Sequence, residues 1–204
     1  MNLSKPILLS LTFCAISLTA LSRTPPEDEN PLIPMGAVVG KPDAQTIKKA
    51  LKGFKDVGIT QYLIYPRSGC ELEYMSDEWL DTCEKICATA KELGYTSIWL
   101  YDEFNWPSGT ANKTVMKQNP DFVFRHLNAV KNKDGNFEIV MRENPDMSNL
   151  LEPDVVECFI SLTHEKYAKK LAPYLGSFVK GVFTDEPSAG YFNWKQYASD
   201  KIKV

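Results

Sequence analysis

Two segments of the chain each combine an apolar run, typical of a buried β-strand, with an Asp-Glu pair and a proline soon after it. They are Ser97–Glu103, which ends in Asp102-Glu103, and Phe178–Glu186, which ends in Asp185-Glu186. Carboxylates at the carboxyl ends of parallel strands are where a (β/α) barrel keeps its catalytic groups, because those strand ends converge on one face. Acids paired in this way predict general acid–base chemistry on a polar substrate such as a sugar.

Glu186 is the first catalytic candidate, because it follows a predicted buried strand and precedes Pro187, which ends the strand. Cleavage of a glycosidic bond needs one carboxyl to protonate the leaving oxygen and another to act as base or nucleophile. Glu103 is the second catalytic candidate, with a role in activating water or contacting a sugar hydroxyl. For both acids the alternative is a purely structural role, such as capping the next helix. Alternation along a strand predicts that one acid of each pair faces the pocket, without deciding which.

Five further residues are predicted to bind the substrate. Adjacent strands lie ~4.8 Å apart, so Asp102 and Asp185 are expected to share one pocket with the catalytic acids. Trp106 and Tyr101 supply aromatic surface on which the C–H face of a sugar can stack. Arg67 follows the second predicted strand. It either binds a hydroxyl or pairs with Asp102, and the salt bridge is the favoured use.

The histidines and cysteines do not form a recognisable reactive set. His126 and His164 have no evident triad partner and are expected at the surface. The cysteine spacing indicates packing rather than a disulfide framework. No metal site and no cofactor are predicted. The cysteines that follow the predicted signal peptide are Cys70, Cys83, Cys87 and Cys158.

The elements that would position these residues alternate between apolar runs and amphipathic segments. Strands are predicted at 32–39, 59–65, 96–101 and 178–183. Helices are predicted after Asp43, after Ser76 and from Pro153 to Tyr167, each with apolar residues at a 3.6-residue period. A hairpin with its turn at 132–136 is inserted before the third helix. This order predicts an α/β fold, a partial (β/α)8 TIM-type barrel of about four βα units with a β-hairpin insertion.

Length and composition set the remaining limits. The chain has 204 residues and a net charge of −3, which argues against nucleic acid as a partner. Residues 1–22 are typical of a secretory signal peptide, 23–31 of a linker, and 32–204 of an incomplete barrel domain. The chain is therefore expected to be exported, to the periplasm or beyond, with no membrane span after cleavage and no protein partner. Because a full barrel takes ~250 residues, a truncated enzyme chain is expected.

From Pro42 to about Trp194 the chain resembles the N-terminal barrel half of large secreted bacterial glycoside hydrolases of the α-L-rhamnosidase-like type. The resemblance is carried by the strings 101–103 with 106–109, 159–167 and 183–188. It implies an enzyme that cleaves a plant or host polysaccharide or glycoside, with Glu186 as the acid–base carboxylate. Some relatives use calcium, but no oxygen cage is evident here. The alternative is a non-catalytic carbohydrate-binding remnant, since a second catalytic strand is missing.

Overall fold

The computed structural model describes residues 30–188. The predicted signal peptide and residues 23–29 of the predicted linker lie outside the described residues. Within 30–188, no helix is long and apolar enough to cross a membrane. The elements, in chain order, are β1 (Met35–Gly40), α1 (Ala44–Asp56), β2 (Gln61–Cys70), α2 (Asp77–Glu92), β3 (Ser97–Tyr101), α3 (Thr114–Gln118), a 3₁₀ turn (Pro120–Phe122), β4 (Val123–Lys131), β5 (Phe137–Ser148), α4 (Pro153–Leu162), α5 (His164–Lys170) and β6 (Val179–Phe183).

Four strands form one parallel sheet in the order β1-β2-β3-β6. Helices alternate with these strands along the chain, so the predicted α/β fold with at least four parallel strands is confirmed. Tyr101, the last residue of β3, pairs with Phe183, the last residue of β6. The two predicted Asp-Glu pairs therefore leave neighbouring strands at the same edge of the sheet. Strands β4 and β5 form a separate antiparallel hairpin.

Side-chain caps start the first two helices as predicted. The Asp43 carboxylate accepts a hydrogen bond from the Thr46 amide at 2.8 Å, and the Ser76 hydroxyl accepts one from the Trp79 amide at 3.2 Å. These bonds satisfy backbone donors that lack a partner inside the helix. Helix α1 ends at Asp56, and the next residue, Val57, is 74% exposed.

The main core lies between the helices and one face of the sheet. Alternate residues of the central strands, such as Ile64 and Leu100, point into it and pack near Trp79 of α2. The predicted burial of Cys83 and Cys87 in α2 is confirmed, and the four cysteines among the described residues are free thiols. The opposite face of the sheet carries a smaller apolar cluster formed by Leu63, Tyr65 and Tyr101, with Ile33 and Trp99 against it.

Several element boundaries differ from the sequence prediction, and β1, for example, starts at Met35 rather than at residue 32. Strand β2 continues through Pro66 to Cys70, because from Tyr65 onward it pairs only with β1, and proline is tolerated at such an edge. The hairpin strands are longer than predicted and extend to Val123 and Ser148. The single helix predicted from Pro153 to Tyr167 is broken at Thr163 into α4 and α5.

Candidate functional site

Glu103 lies at the end of β3 but does not face a pocket. It is only 1% exposed, and five hydrogen bonds of 2.5–3.0 Å converge on its carboxylate. One oxygen accepts from the Phe104 and Asn112 amides, and the other accepts from the amide and hydroxyl of Thr110 and from the Ala111 amide. In the structure, both oxygens of Glu103, the second predicted catalytic acid, are therefore occupied by the loop that follows β3.

This loop directs several hydrogen-bond donors at one point and needs an acceptor there. Ala111, Asn112 and Lys113 all have φ between 49° and 63°, a left-handed turn that costs non-glycine residues ~1–2 kcal/mol each. The turn directs successive amides at one point, which is the geometry of an anion-binding nest. Burial raises the pKa of the Glu103 carboxyl above its usual value, and the amide hydrogen bonds oppose that rise. Glu103 is the residue that holds the loop in this shape.

Asp102 is also buried, with no exposed surface. Its Oδ1 accepts a hydrogen bond from the Ser108 hydroxyl at 2.5 Å, and its Oδ2 accepts one from the Thr184 hydroxyl at 2.7 Å. The Nε2 of His164 lies 3.6 Å from the same Oδ2. We call Asp102, Ser108, His164 and Thr184 the Asp102 network. These groups enclose the carboxylate of Asp102, which was predicted to bind substrate.

The Asp102 network joins the loop after β3 to the end of β6. The Ser108 hydroxyl, which donates to Asp102, accepts a hydrogen bond from the Asp185 amide at 2.8 Å. The Ser108 amide donates to the Asp185 carbonyl at 2.9 Å. Two hydrogen bonds to backbone atoms of residue 185 therefore fix it to Ser108, and Asp102 positions the Ser108 hydroxyl that forms one of them.

Asp185 and Tyr101 meet on the opposite side of the sheet from the main core. The Tyr101 hydroxyl lies 2.6 Å from Asp185 Oδ2 and 2.5 Å from the Asn105 carbonyl, so two acceptors share one phenolic proton. Burial first, and then the Asp185 carboxylate, raise the pKa of Tyr101 well above its usual value. Tyr101 remains a neutral donor, and Asp185, which is half-buried, is its acceptor.

Glu186 is exposed and is held by Trp106. The Trp106 indole Nε1–H donates to Glu186 Oε2 at 3.1 Å, and half of the Trp106 residue surface is open to solvent. Glu186 has a φ of 43°, so the regular alternation of the strand no longer applies at this position. We call Tyr101, Asn105, Trp106, Asp185 and Glu186 the strand-end site. It contains four of the seven residues predicted from the sequence.

Arg67 does not form the predicted salt bridge with Asp102. Its guanidinium lies 5.7 Å from the centre of the Tyr65 ring, a cation–π distance, and the residue is exposed. Tyr65 itself packs against Tyr101, with ring centres 4.5 Å apart. Arg67 is thus connected to the strand-end site through two tyrosine rings in contact, whose planes are tilted by 56°, and places a cation beside the site.

His164 was expected at the surface with no evident triad partner, and the structure places it partly buried against Asp102. Its side chain is 32% exposed, and its two ring nitrogens face Thr163 Oγ1 at 2.9 Å and Asp102 Oδ2 at 3.6 Å. Sequence reasoning also missed the roles of Ser108 and Thr184. The only signal was the recurrence of hydroxyl residues beside the acid pairs, since His164 lies 62 positions from its partner.

Among residues 30–188, no group of three His, Cys, Asp or Glu side chains is placed to hold a metal ion. Comparison with protein-family models, with curated proteins and with solved structures gives no significant match. The chemistry of this chain is therefore inferred from the strand-end site itself.

Proposed function

We propose that this chain carries the acid–base site of a glycoside-cleaving enzyme of the α-L-rhamnosidase-like type, and that its parallel sheet is part of a (β/α)8 barrel. One observation carries the proposal. Glu186 presents an exposed carboxylate at the carboxyl end of β6, and the half-exposed Trp106 donates its indole N–H to that carboxylate at 3.1 Å. An acid fixed beside an open aromatic ring is what glycoside recognition and proton transfer both require.

The roles follow from exposure. Glu186 is the group that protonates the leaving oxygen, because it combines solvent access with a fixed direction. The Trp106 ring supplies the apolar surface against which the C–H face of a sugar packs. Asp185 is the neighbouring hydroxyl acceptor, already aligned by Tyr101. Glu103 and Asp102 position the loop and the strand end, and they do not contact substrate.

A second candidate function is sugar binding without turnover, and the burial of Glu103 favours it. Hydrolysis needs a second carboxylate as base or nucleophile. Both oxygens of Glu103 accept hydrogen bonds from the loop, so the end of β3 does not provide this second carboxylate. In this alternative the strand-end site holds a sugar on Trp106, and Glu186 is only a hydrogen-bonding partner.

The test measures binding and turnover separately on the full chain. Methyl α-L-rhamnoside is titrated while the Trp106 indole N–H resonance is followed by NMR, and methyl β-D-glucoside serves as the comparison sugar. Turnover is measured on alkyl α-L-rhamnosides, whose leaving groups need protonation. We expect Glu186→Gln to keep binding and to lose ~10²–10⁴ in rate.

Glu157→Gln is the matched control, since Glu157 is an exposed acid on α4, away from the strand-end site. Binding without turnover in the unaltered chain would establish the second candidate function. Failure of every glycoside to shift the Trp106 resonance would overturn both.

A further inference from the structure

We propose that His164 is a proton-operated positioning residue for Asp185 and Glu186, and that it acts through Asp102. This inference deepens the proposed function and rests on it for its biological meaning. The geometric coupling itself needs no substrate. It concerns the helix break at Thr163, which places a histidine of α5 against the buried carboxylate at the end of β3.

The protons around His164 can be counted from the hydrogen bonds. The Thr163 hydroxyl has one proton and donates it to the Phe159 carbonyl at 2.7 Å, a group that can only accept. The contact of 2.9 Å between Thr163 Oγ1 and His164 Nδ1 therefore requires the histidine to donate from Nδ1. In neutral His164 the remaining nitrogen, Nε2, then carries a lone pair.

That lone pair faces Asp102 Oδ2 at 3.6 Å. Two acceptors cannot form a hydrogen bond, and 3.6 Å is longer than the ~2.7–3.2 Å of an N–H···O bond. Protonation of His164 places a hydrogen on Nε2 and turns the contact into a charge-assisted hydrogen bond, which is shorter and stronger than a neutral one. The proton therefore decides whether α5 is tied to Asp102.

The same Asp102 oxygen also accepts from Thr184 at 2.7 Å. Thr184 immediately precedes Asp185 and Glu186, and the other Asp102 oxygen holds Ser108, which accepts from the Asp185 amide. A new donor on Oδ2 shares this oxygen with the Thr184 hydroxyl and draws the carboxylate toward α5. The displacement passes to the end of β6 through one hydroxyl, and Trp106 reports it through its bond to Glu186.

Two phenols near Asp102 do not change charge in the same range. Burial raises the pKa of Tyr74 and of Tyr167 well above their usual values, so both phenols stay neutral from pH 5 to pH 8. Burial raises the pKa of Glu103, next in the chain, toward this range, and a displacement caused by Glu103 would persist in His164→Gln. Lys166 of α5 is directed to the Met75 carbonyl at 3.2 Å. Histidine is the side chain that ordinarily changes charge in this interval.

The experiment follows the Trp106 indole N–H resonance in ¹H–¹⁵N spectra of the full chain as the pH is lowered from 8 to 5. We expect a pH-dependent displacement that is lost in His164→Gln and kept in His126→Gln. The chain contains two histidines, and His126 lies on the hairpin strand β4, so it is the matched control. An equal displacement in His164→Gln and in the unaltered chain would overturn the proposal.

A second pair of variants tests the route through Thr184. Thr184→Val removes the hydroxyl that binds Asp102 but keeps the side-chain shape, and it is expected to abolish most of the displacement. Thr96→Val is the control, because its hydroxyl bonds the Thr60 carbonyl just before β3 begins, at the other end of that strand. If His164→Gln does not fold, this pair still decides the question: an undiminished displacement in Thr184→Val refutes the coupling.

Failure of the proposed function gives a different result. A chain that binds no glycoside but keeps the His164-dependent displacement would retain the coupling and lose the assigned chemistry. A chain that binds glycoside with no such displacement would retain the chemistry and lose the coupling.

Discussion

The role assigned to Glu103 predicts a specific loss of stability in Glu103→Gln. Glutamine has almost the same shape, but only one of its two terminal atoms accepts hydrogen bonds. The least costly orientation places the new NH₂ group at the oxygen with two donors, the Phe104 and Asn112 amides. Each donor left without a partner costs ~1–3 kcal/mol, which gives a total of ~2–6 kcal/mol.

The burial of the charge offsets part of this loss. Burial raises the pKa of Glu103, so the folded chain binds this proton more tightly than the unfolded chain does. The stability of the unaltered chain therefore falls as the pH rises from about 4.3 toward the raised folded value. Glutamine does not titrate, so its contribution to stability does not change with pH. We therefore expect Glu103→Gln to lower the free energy of unfolding by ~2–4 kcal/mol at pH 7, the lower half of the range above, and by more at pH 4.

Urea unfolding followed by circular dichroism measures this difference. Glu186→Gln is the matched control, because the same chemical change at an exposed residue is expected to stay within ~0.5 kcal/mol. An unchanged unfolding midpoint for Glu103→Gln, together with loss of glycoside turnover, would refute the structural role. Glu103 would then be the catalytic acid, and the roles of the two residues would have to be exchanged.

Two further predictions concern the scaffold that supports the site. A Cβ on Gly36 would lie 1.8 Å from the Tyr62 ring, so Gly36→Ala is expected to cost ~1–3 kcal/mol, whereas Gly53→Ala, at an open helical position, should gain ~0.5–1 kcal/mol in the same unfolding assay. Asp43→Ala should lower the melting temperature at pH 7, because the Thr46 amide lowers the pKa of Asp43 and the folded state favours the ionised cap. That difference should shrink as the pH falls through the lowered pKa, and a difference that does not decrease with falling pH would contradict the role of the ionised cap.

The parts of the fold that depend on local pattern were predictable from the sequence. Caps at Asp43 and Ser76 determine where two helices start, and both were located from residue type alone. The parallel arrangement follows from alternation of strands and helices, because parallel strands need a crossover between them. The break at Thr163 was not predictable, since the apolar spacing continues through it from Phe159 to Tyr167 and the hydroxyl bond that accompanies it is a local detail.

The position of the site was predictable from the sequence, but the role of each acid was not. Both Asp-Glu pairs do leave neighbouring parallel strands at one edge, as the apolar runs indicated. The sequence did not indicate which groups the acid side chains would contact. Glu103 turns to amides seven to nine residues ahead, and Asp102 turns to a histidine 62 residues ahead. Such contacts depend on loop conformation, which has no period to detect.

The acids of the two Asp-Glu pairs differ in burial, and burial decides which of them can have only a structural role. A buried carboxylate is stable only when donors surround it, and donors that surround it also prevent it from reaching a substrate. Asp102 and Glu103 meet that condition by binding the loop that follows β3, Asp102 at Ser108 and Glu103 at residues 110–112. Glu186 does not need such donors, because it is exposed to solvent, and in the proposed function it is the acid that protonates the leaving oxygen. The Trp106–Glu186 hydrogen bond connects the buried acids to the exposed one. Its donor, Trp106, lies on the loop that Asp102 and Glu103 bind, and its acceptor, Glu186, lies at the exposed end of β6.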